Sequence, residues 1–440
     1  MEASGLSPFF SPLPFRRFDM GLEQHPSRQS LTNELHARPS LSITAPAQVG
    51  FIVLKAPQNA VGRPFEFDHN SLKGITDHFG LPPADPNASH YQGDISGATL
   101  KWERHTEVAT YTLLNKRRSE PYDSNIFEAL PIEWTNKQTQ TVLTSITVEI
   151  LEWSSEKETK AYCEAHLNGD DLVCSYVLDE AALVAGDFRL DVAGHLRFAV
   201  FVKPNIGPAR IGRIVQRLCE IETYKSLSML GFMRAREVSK PLIKLDEKLT
   251  GLLAQIEQSD AQDTLSGLLD VAASVESQAS LVSFRFSATE AYETIVHQRI
   301  SALRENRFAG YQTLAEFMYR RYDPAMRTVH STKRKLDHMS ERASGAAELL
   351  RTRVDVDRSA QSQKLLESMD QRANAQLQLQ KTVEGLSVVA IGYYAVSLAS
   401  YLLDPFVKAV GWDKSWVLAC ASIPILLAVW WVIRSIRARH

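Results

Sequence analysis

The chain has 440 residues, with 49 Lys+Arg against 51 Asp+Glu and a formal charge of -2. That balance excludes the strong basic excess usual in nucleic-acid-binding proteins. Hydrophobic residues make up 44% and charged residues 23%, which excludes a mostly disordered chain.

Residues 1–45 are rich in Pro, Ser and polar groups and read as an irregular arm. Within it Asn33, Glu34, His36 and Arg38 belong to the stretch NELHARP. A histidine flanked by an acid and a base can shuttle protons or bind an anion. The plainer reading is that Glu34 and Arg38 pin the arm to the folded domain by hydrogen bonds.

From 46 to 206 the pattern is of short β-type runs with helical insertions. Strands are predicted at 48–55, 99–106, 107–114, 141–151, 172–179, 187–192 and 195–202, with a helix at 154–168. This predicts an α+β domain with a mixed or antiparallel sheet. Alternation places Trp102 and Arg104 on one strand face and Glu103 and His105 on the other. The patch reads as half-buried sheet surface or as the wall of a ligand cleft.

From 207 to 384 the texture is helical. Helical spacing predicts one helix up to Gly231, a second over 242–275 and a third over about 280–320. Asp323-Pro324 interrupts the pattern, and a last helix runs from about 326 to the apolar region. Leu336, Met339, Ala343, Ala346, Leu350 and Val354 step by 3 or 4, a narrow seam of coiled-coil kind. An unbroken helix from Pro324 to Gly385 would be roughly 90 Å long, so it reads as a stalk. Segment 297–372 holds 15 Lys+Arg and 10 Asp+Glu. It reads as a solvated helix face, or as a basic cuff near anionic lipid.

Residues 385–403 and 415–433 are two 19-residue runs without a charge. Each covers roughly 28 Å as a helix, close to the hydrocarbon thickness of a bilayer of about 30 Å. The 11 residues between them, 404–414, allow a transmembrane hairpin with a short outer loop. Trp412, Trp416, Trp430 and Trp431 lie near the run ends, where amphipathic rings favour the interface. The tail 434–440 carries Arg434, Arg437 and Arg439, which places it in the cytoplasm by the positive-inside rule. Two spans return the chain to its starting side. The expected location is therefore the cytoplasmic membrane, multi-pass, with both termini and the bulk of the chain inside. No apolar core of a signal peptide occupies Met1–Met20.

In the first run Ser387, Tyr394 and Tyr401 are seven apart, with Ser397 beside them. They predict a hydroxyl stripe that would line a pore, with Asp404 at its mouth, or hydrogen-bond across a helix pair. Gly385, Gly392 and Ala399 form a small-residue stripe, taken to lie alongside it, of the kind that lets helices approach closely. Together the stripes predict a homo-oligomer, with the lipid bilayer as the other partner. The four cysteines, Cys163, Cys174, Cys219 and Cys420, form no CxxC pair, which speaks against a disulfide scaffold or a structural zinc site. His166 with Asp170 and Asp171 is a weak metal signal in a loop, so no metal site is expected. No GxGxxG before a helix, Walker loop, HExxH or GxSxG is present, and nothing points to an enzyme or a particular cofactor.

The stretches NELHARP (33–39), WERHTE (102–107), GRIVQRLCEIETYKSLSMLG (212–231), EFMYRRYDPAMRT (316–328), ELLRTRVDVD (348–357) and TVEGLSVVAIGYY (382–394) resemble an uncharacterised family of bacterial membrane proteins. NELHARP is its hallmark, and some members carry the label egg lysin. The resemblance implies no activity. In architecture the chain also resembles the CorA-type divalent-cation channels, with a cytoplasmic α/β domain, a stalk running into the first span and a basic tail. That likeness implies a homopentamer with a pore lined by the first span. The Gly-Met-Asn signature of those channels is replaced here by Ser-Tyr-Leu-Leu-Asp-Pro-Phe at 400–406.

Overall fold

The computed structural model describes residues 25, 27–28, 31–32, 39–56, 65–86, 88–116, 125–167, 169–256, 260–411 and 413–437. Asn33, Glu34, His36 and Arg38 lie outside them. The chain divides into two compact units, Met1–Thr250 with Asp270–Ala343, and Gly251–Leu269 with Ser344–His440.

The first unit holds a nine-stranded sheet of β1 (Ala47–Lys55), β2 (His90–Ile95), β3 (Ala98–Arg104), β4 (Val108–Asn115), β5 (Thr141–Glu152), β6 (Val173–Val177), β7 (Ala182–Leu190), β8 (Leu196–Val202) and β9 (Asn306–Arg307). The spatial order is β2-β3-β4-β1-β5-β8-β7-β6-β9. The β5–β8 pairing is parallel and the other ladders are antiparallel, so the sheet is mixed. The α+β class read from the sequence is the observed one.

One sheet face is covered by α1 (Phe65–His78), α2 (Ile132–Lys137) and α3 (Glu156–His166). Leu72 and Ile75 of α1 and Trp134 of α2 share a core with Trp102 and Tyr111. Cys163 of α3 packs with Cys174, Ala199 and Phe201. The Ser155 side chain caps α3 by accepting the Glu158 N–H at 3.3 Å.

The opposite face meets α4 (Pro208–Ala254), which buries Ile211, Ile214, Val215, Leu218 and Ile221. Within the first unit α4 runs beside α5 (Ala261–Leu303) and the start of α7 (Asp323–Val410), with α6 (Leu314–Arg321) just ahead of α7. Two glycines set the closeness of these contacts. A Cβ on Gly231 would lie 2.1 Å from Thr289 Oγ1 of α5, and one on Gly212 would lie 1.7 Å from the Leu41 carbonyl oxygen. Asp246 of α4 pairs with Lys335 at 3.1 Å and with Arg342 at 3.3 Å, both on α7.

The predicted helix boundaries need correction. Gly231 does not end a helix; it lies inside α4, where it admits α5. Residues 276–279, read as a gap, are interior to α5. The break falls instead after Ala254, and Asp260 starts the next helix by accepting the Gln262 N–H at 2.7 Å. β7 begins at Ala182, ahead of the predicted 187, because Ala-Leu-Val-Ala-Gly is buried throughout and shows no alternation. β2 and α1 lack a sequence signal. β2 is a polar edge strand, and α1 buries few apolar side chains.

In the second unit the predicted seam continues on α7 with Ala346 and Leu350 buried and Val354 half-buried. Arg353 donates to the Ile256 carbonyl at 3.2 Å. From residue 355 to 383 every side chain of α7 is exposed. α7 continues through Pro405 to Val410 and ends at Gly411, whose φ of +73° suits glycine. Asp413 then accepts the Ser415 N–H at 3.0 Å to open α8 (Lys414–Arg437). The joining segment is thus helical over most of its length. α7 and α8 are each apolar enough over part of their length to cross a membrane, and both apolar windows are exposed.

These contacts give opposite predictions for two glycines. Gly231→Val should lower stability by about 2 kcal/mol through overpacking against Thr289. Gly345→Ala, in an exposed turn of α7 with nothing within 4 Å, should raise it by about 0.5–1 kcal/mol. Unfolding of the full chain checks both, and equal effects would contradict the packing described.

Candidate functional site

β3 sends alternate side chains to opposite sides of the sheet, and this divides the WERHTE stretch between two roles. Trp102 is fully buried on the α1 side, edge-on to His69 at 5.1 Å. Arg104 Nε donates to Asp68 Oδ2 at 2.9 Å, and Gln140 fills the other Asp68 oxygen at 3.0 Å. These contacts tie α1 and β5 to the strand and are structural.

Lys101, Glu103 and His105 face α4. There they border a cavity of about 250 Å³ between the sheet, α4, α5 and the 39–45 segment. Of the described residues in the Trp102–His105 patch, Glu103 and His105 line this cavity and Trp102 and Arg104 do not. Lys101 Nζ lies 3.0 Å from Glu103 Oε1, and both residues are more than nine-tenths buried. From the helices, Arg299 pairs with Glu220, and Gln216 donates to Glu220 Oε1 at 2.8 Å. His105 Nε2 lies 3.5 Å from Thr110 Oγ1, and its ring stands edge-on to Tyr224 at 6.4 Å. Burial pushes the Cys219 thiol up from its ordinary value, so it stays protonated. Leu41, Ile43, Phe51 and Val215 supply the apolar wall.

Next to the cavity Glu107 is fully buried. Arg285 Nη1 and Nη2 donate to its two oxygens at 3.0 and 2.5 Å, and the Tyr292 hydroxyl donates at 2.8 Å. Burial, reinforced by the Glu107 carboxylate, pushes the Tyr292 hydroxyl up, so it remains a donor. This bidentate pair ties the β3–β4 turn to α5.

Elsewhere, His166 packs against Tyr162 at 4.5 Å, and Asp171 is held by Arg321 at 3.1 Å and Arg189 at 3.6 Å. Among the described residues no group of three or more His, Cys, Asp or Glu side chains is placed to hold a metal ion.

In the second unit Ser387, Tyr394, Ser397, Tyr401 and Asp404 all lie on α7. Gly392 is buried, and a Cβ there would lie 3.1 Å from Leu426 Cδ2 of α8. The small-residue stripe thus meets α8 at Gly392, while a Cβ at Gly385 would meet nothing within 4 Å. Two positions separate it from the hydroxyl stripe, about 200° of helical turn. The stripes are therefore on opposite sides of the helix, not side by side. Tyr394 is 71% and Tyr401 79% exposed, Ser397 and Asp404 are half-buried, and Ser387 Oγ donates to the Val383 carbonyl at 2.8 Å.

An α+β unit with a partly open cavity of mixed polar and apolar lining, and a helical unit ending in two apolar helices, define the kind of protein this is. The chain belongs to a family of proteins of unknown function, DUF3422, whose sequence model matches residues 23–440. Among curated proteins none matches it.

The Glu107 site makes a direct prediction. Arg285→Met leaves a buried carboxylate with one neutral donor and should cost about 3–5 kcal/mol. Glu107→Leu combined with Arg285→Met should cost less than Arg285→Met alone. Denaturant unfolding of the three chains checks this, and additive losses would contradict the pairing.

Proposed function

We propose that the protein is a homo-oligomeric integral protein of the cytoplasmic membrane. In this reading α7 and α8 span the bilayer as a hairpin, and both termini and the sheet unit lie inside. The observation that carries it is an apolar seam on the exposed part of α7. Leu365, Met369, Leu379, Val383, Leu386 and Ala390 fall at alternating steps of 3 and 4, interrupted only at Arg372 and Gln376. Among the described residues nothing covers them, and Leu379 is 65% exposed. A seam of this period is self-complementary and is buried by a second copy of the same helix. Polar residues at isolated seam positions, such as Arg372 and Gln376, favour a fixed register and copy number.

Carried forward, the same 3–4 stepping reaches Ser397 and Asp404, with Ser387, Tyr394 and Tyr401 at the flanking positions. The face bearing the hydroxyls would then turn toward the oligomer axis, while Gly392 holds α8 on the outside. A tyrosine hydroxyl in hydrocarbon is costly without a partner, which favours the axis over lipid. This arrangement supports a CorA-like role in which the first spans surround an ion path, with Asp404 at its outer mouth. The polar cavity favours a second reading, a membrane-tethered module that binds a partner or ligand and conducts nothing.

Mass measurement in lipid nanodiscs should show one oligomer of defined copy number. Leu379→Glu with Val383→Glu should reduce it to monomer with the secondary structure unchanged. Persistence of the oligomer would contradict the seam. Liposomes containing the oligomer should pass cations, and Tyr394→Leu with Tyr401→Leu should change the flux at least severalfold. Silent liposomes with an intact oligomer would leave the tethered module.

A further inference from the structure

We propose that the cavity between β3, α4 and α5 binds a small zwitterion of α-amino-acid type, bearing one carboxylate and one ammonium group. The inference is independent of membrane insertion and goes beyond the reading above.

The first reason is unspent hydrogen-bonding capacity. Lys101 is 5% exposed, and its ammonium has three N–H donors. Among the described residues Glu103 is its partner, through a single oxygen. A buried ion pair is stable only when its remaining donors and lone pairs are also satisfied. The cavity is the space into which that capacity opens.

The second reason is charge. Lys101 and Glu103 on the strand cancel, and so do Arg299 and Glu220 on the helices. A ligand with a net charge would leave one buried charge uncompensated, and an apolar ligand would leave the polar atoms unpaired. A zwitterion offers its carboxylate to Lys101 and Arg299 and its ammonium to Glu103 and Glu220, so the count stays balanced. Leu41, Ile43, Phe51 and Val215 leave an apolar wall for a side chain. The volume, about 250 Å³, suits a metabolite of that size.

Calorimetric titration of the full chain in nanodiscs with each proteinogenic amino acid tests this. At least one should bind saturably, once per chain. If it is leucine, 3-methylbutylamine and 4-methylpentanoate, which each lack one of its charged groups, should bind at least about tenfold more weakly. The corresponding amine and acid serve for any other amino acid. Lys101→Met combined with Glu103→Gln removes both charges together and should abolish binding. Val215→Phe narrows the cavity without touching a charge and should weaken binding while the chain stays folded, so the test survives if the double variant does not fold. Absence of any saturable binding, meaning a cavity filled by water only, would overturn the proposal. So would equal binding of the amine or the acid alone.

Discussion

Uncharged helix with its large side chains turned outward is the constraint on which the rest depends. α8 and the end of α7 touch at Gly392 and Leu426, yet their apolar windows remain exposed. Water cannot solvate that surface without a large hydrophobic penalty. A bilayer can accept it, because a helix satisfies its own backbone hydrogen bonds. Pro405 and Pro424 inside these helices are tolerable on the same terms, since neighbouring groups can satisfy the freed carbonyls. Under the proposed insertion, the exposed seam ahead of the apolar part of α7 would lie outside the lipid, where a second copy would cover it with the least new chemistry.

The sheet unit follows another logic. Several of its carboxylates are buried and held by side-chain donors. Glu107 with Arg285, Asp68 with Arg104, and Glu149 with Gln48 each join segments distant in sequence. Desolvating such groups is costly, so each pair needs fixed geometry and further hydrogen bonds. The Tyr292 hydroxyl on Glu107 and the Gln140 amide on Asp68 supply them. These contacts join the β3–β4 turn to α5, α1 to β3, and β1 to β5. At Lys101 the charge is balanced by Glu103, while its ammonium carries three donors.

How much of this was legible in the sequence depended on the range of the signal. The two apolar runs needed only a count of uncharged residues. β3, β4 and β5 showed in the alternation of apolar and polar side chains. Alternation also placed Glu103 and His105 on one face, so one wall of the cavity was readable. The other wall was not, because Glu220 and Arg299 are brought to it by tertiary packing that no local period records. Gly231 was misread for a related reason. A glycine that ends a helix and a glycine that admits a neighbouring helix look alike until the neighbour is placed. Both stripes lie on α7, and their two-residue offset puts them on opposite sides of that helix, with Gly392 on the side toward α8.

The central claim is that a second copy covers the α7 seam in the membrane. Disulfide trapping reads this directly. In a Cys420→Ser background the other native cysteines are buried, and single cysteines can be placed at Leu379 and at Gln378. Mild oxidation of membranes holding Leu379→Cys should give a covalent dimer in high yield, and Gln378→Cys, one position off the seam, should give little. Equal yields at the two positions, or none at either while the protein sits in the membrane, would contradict the account.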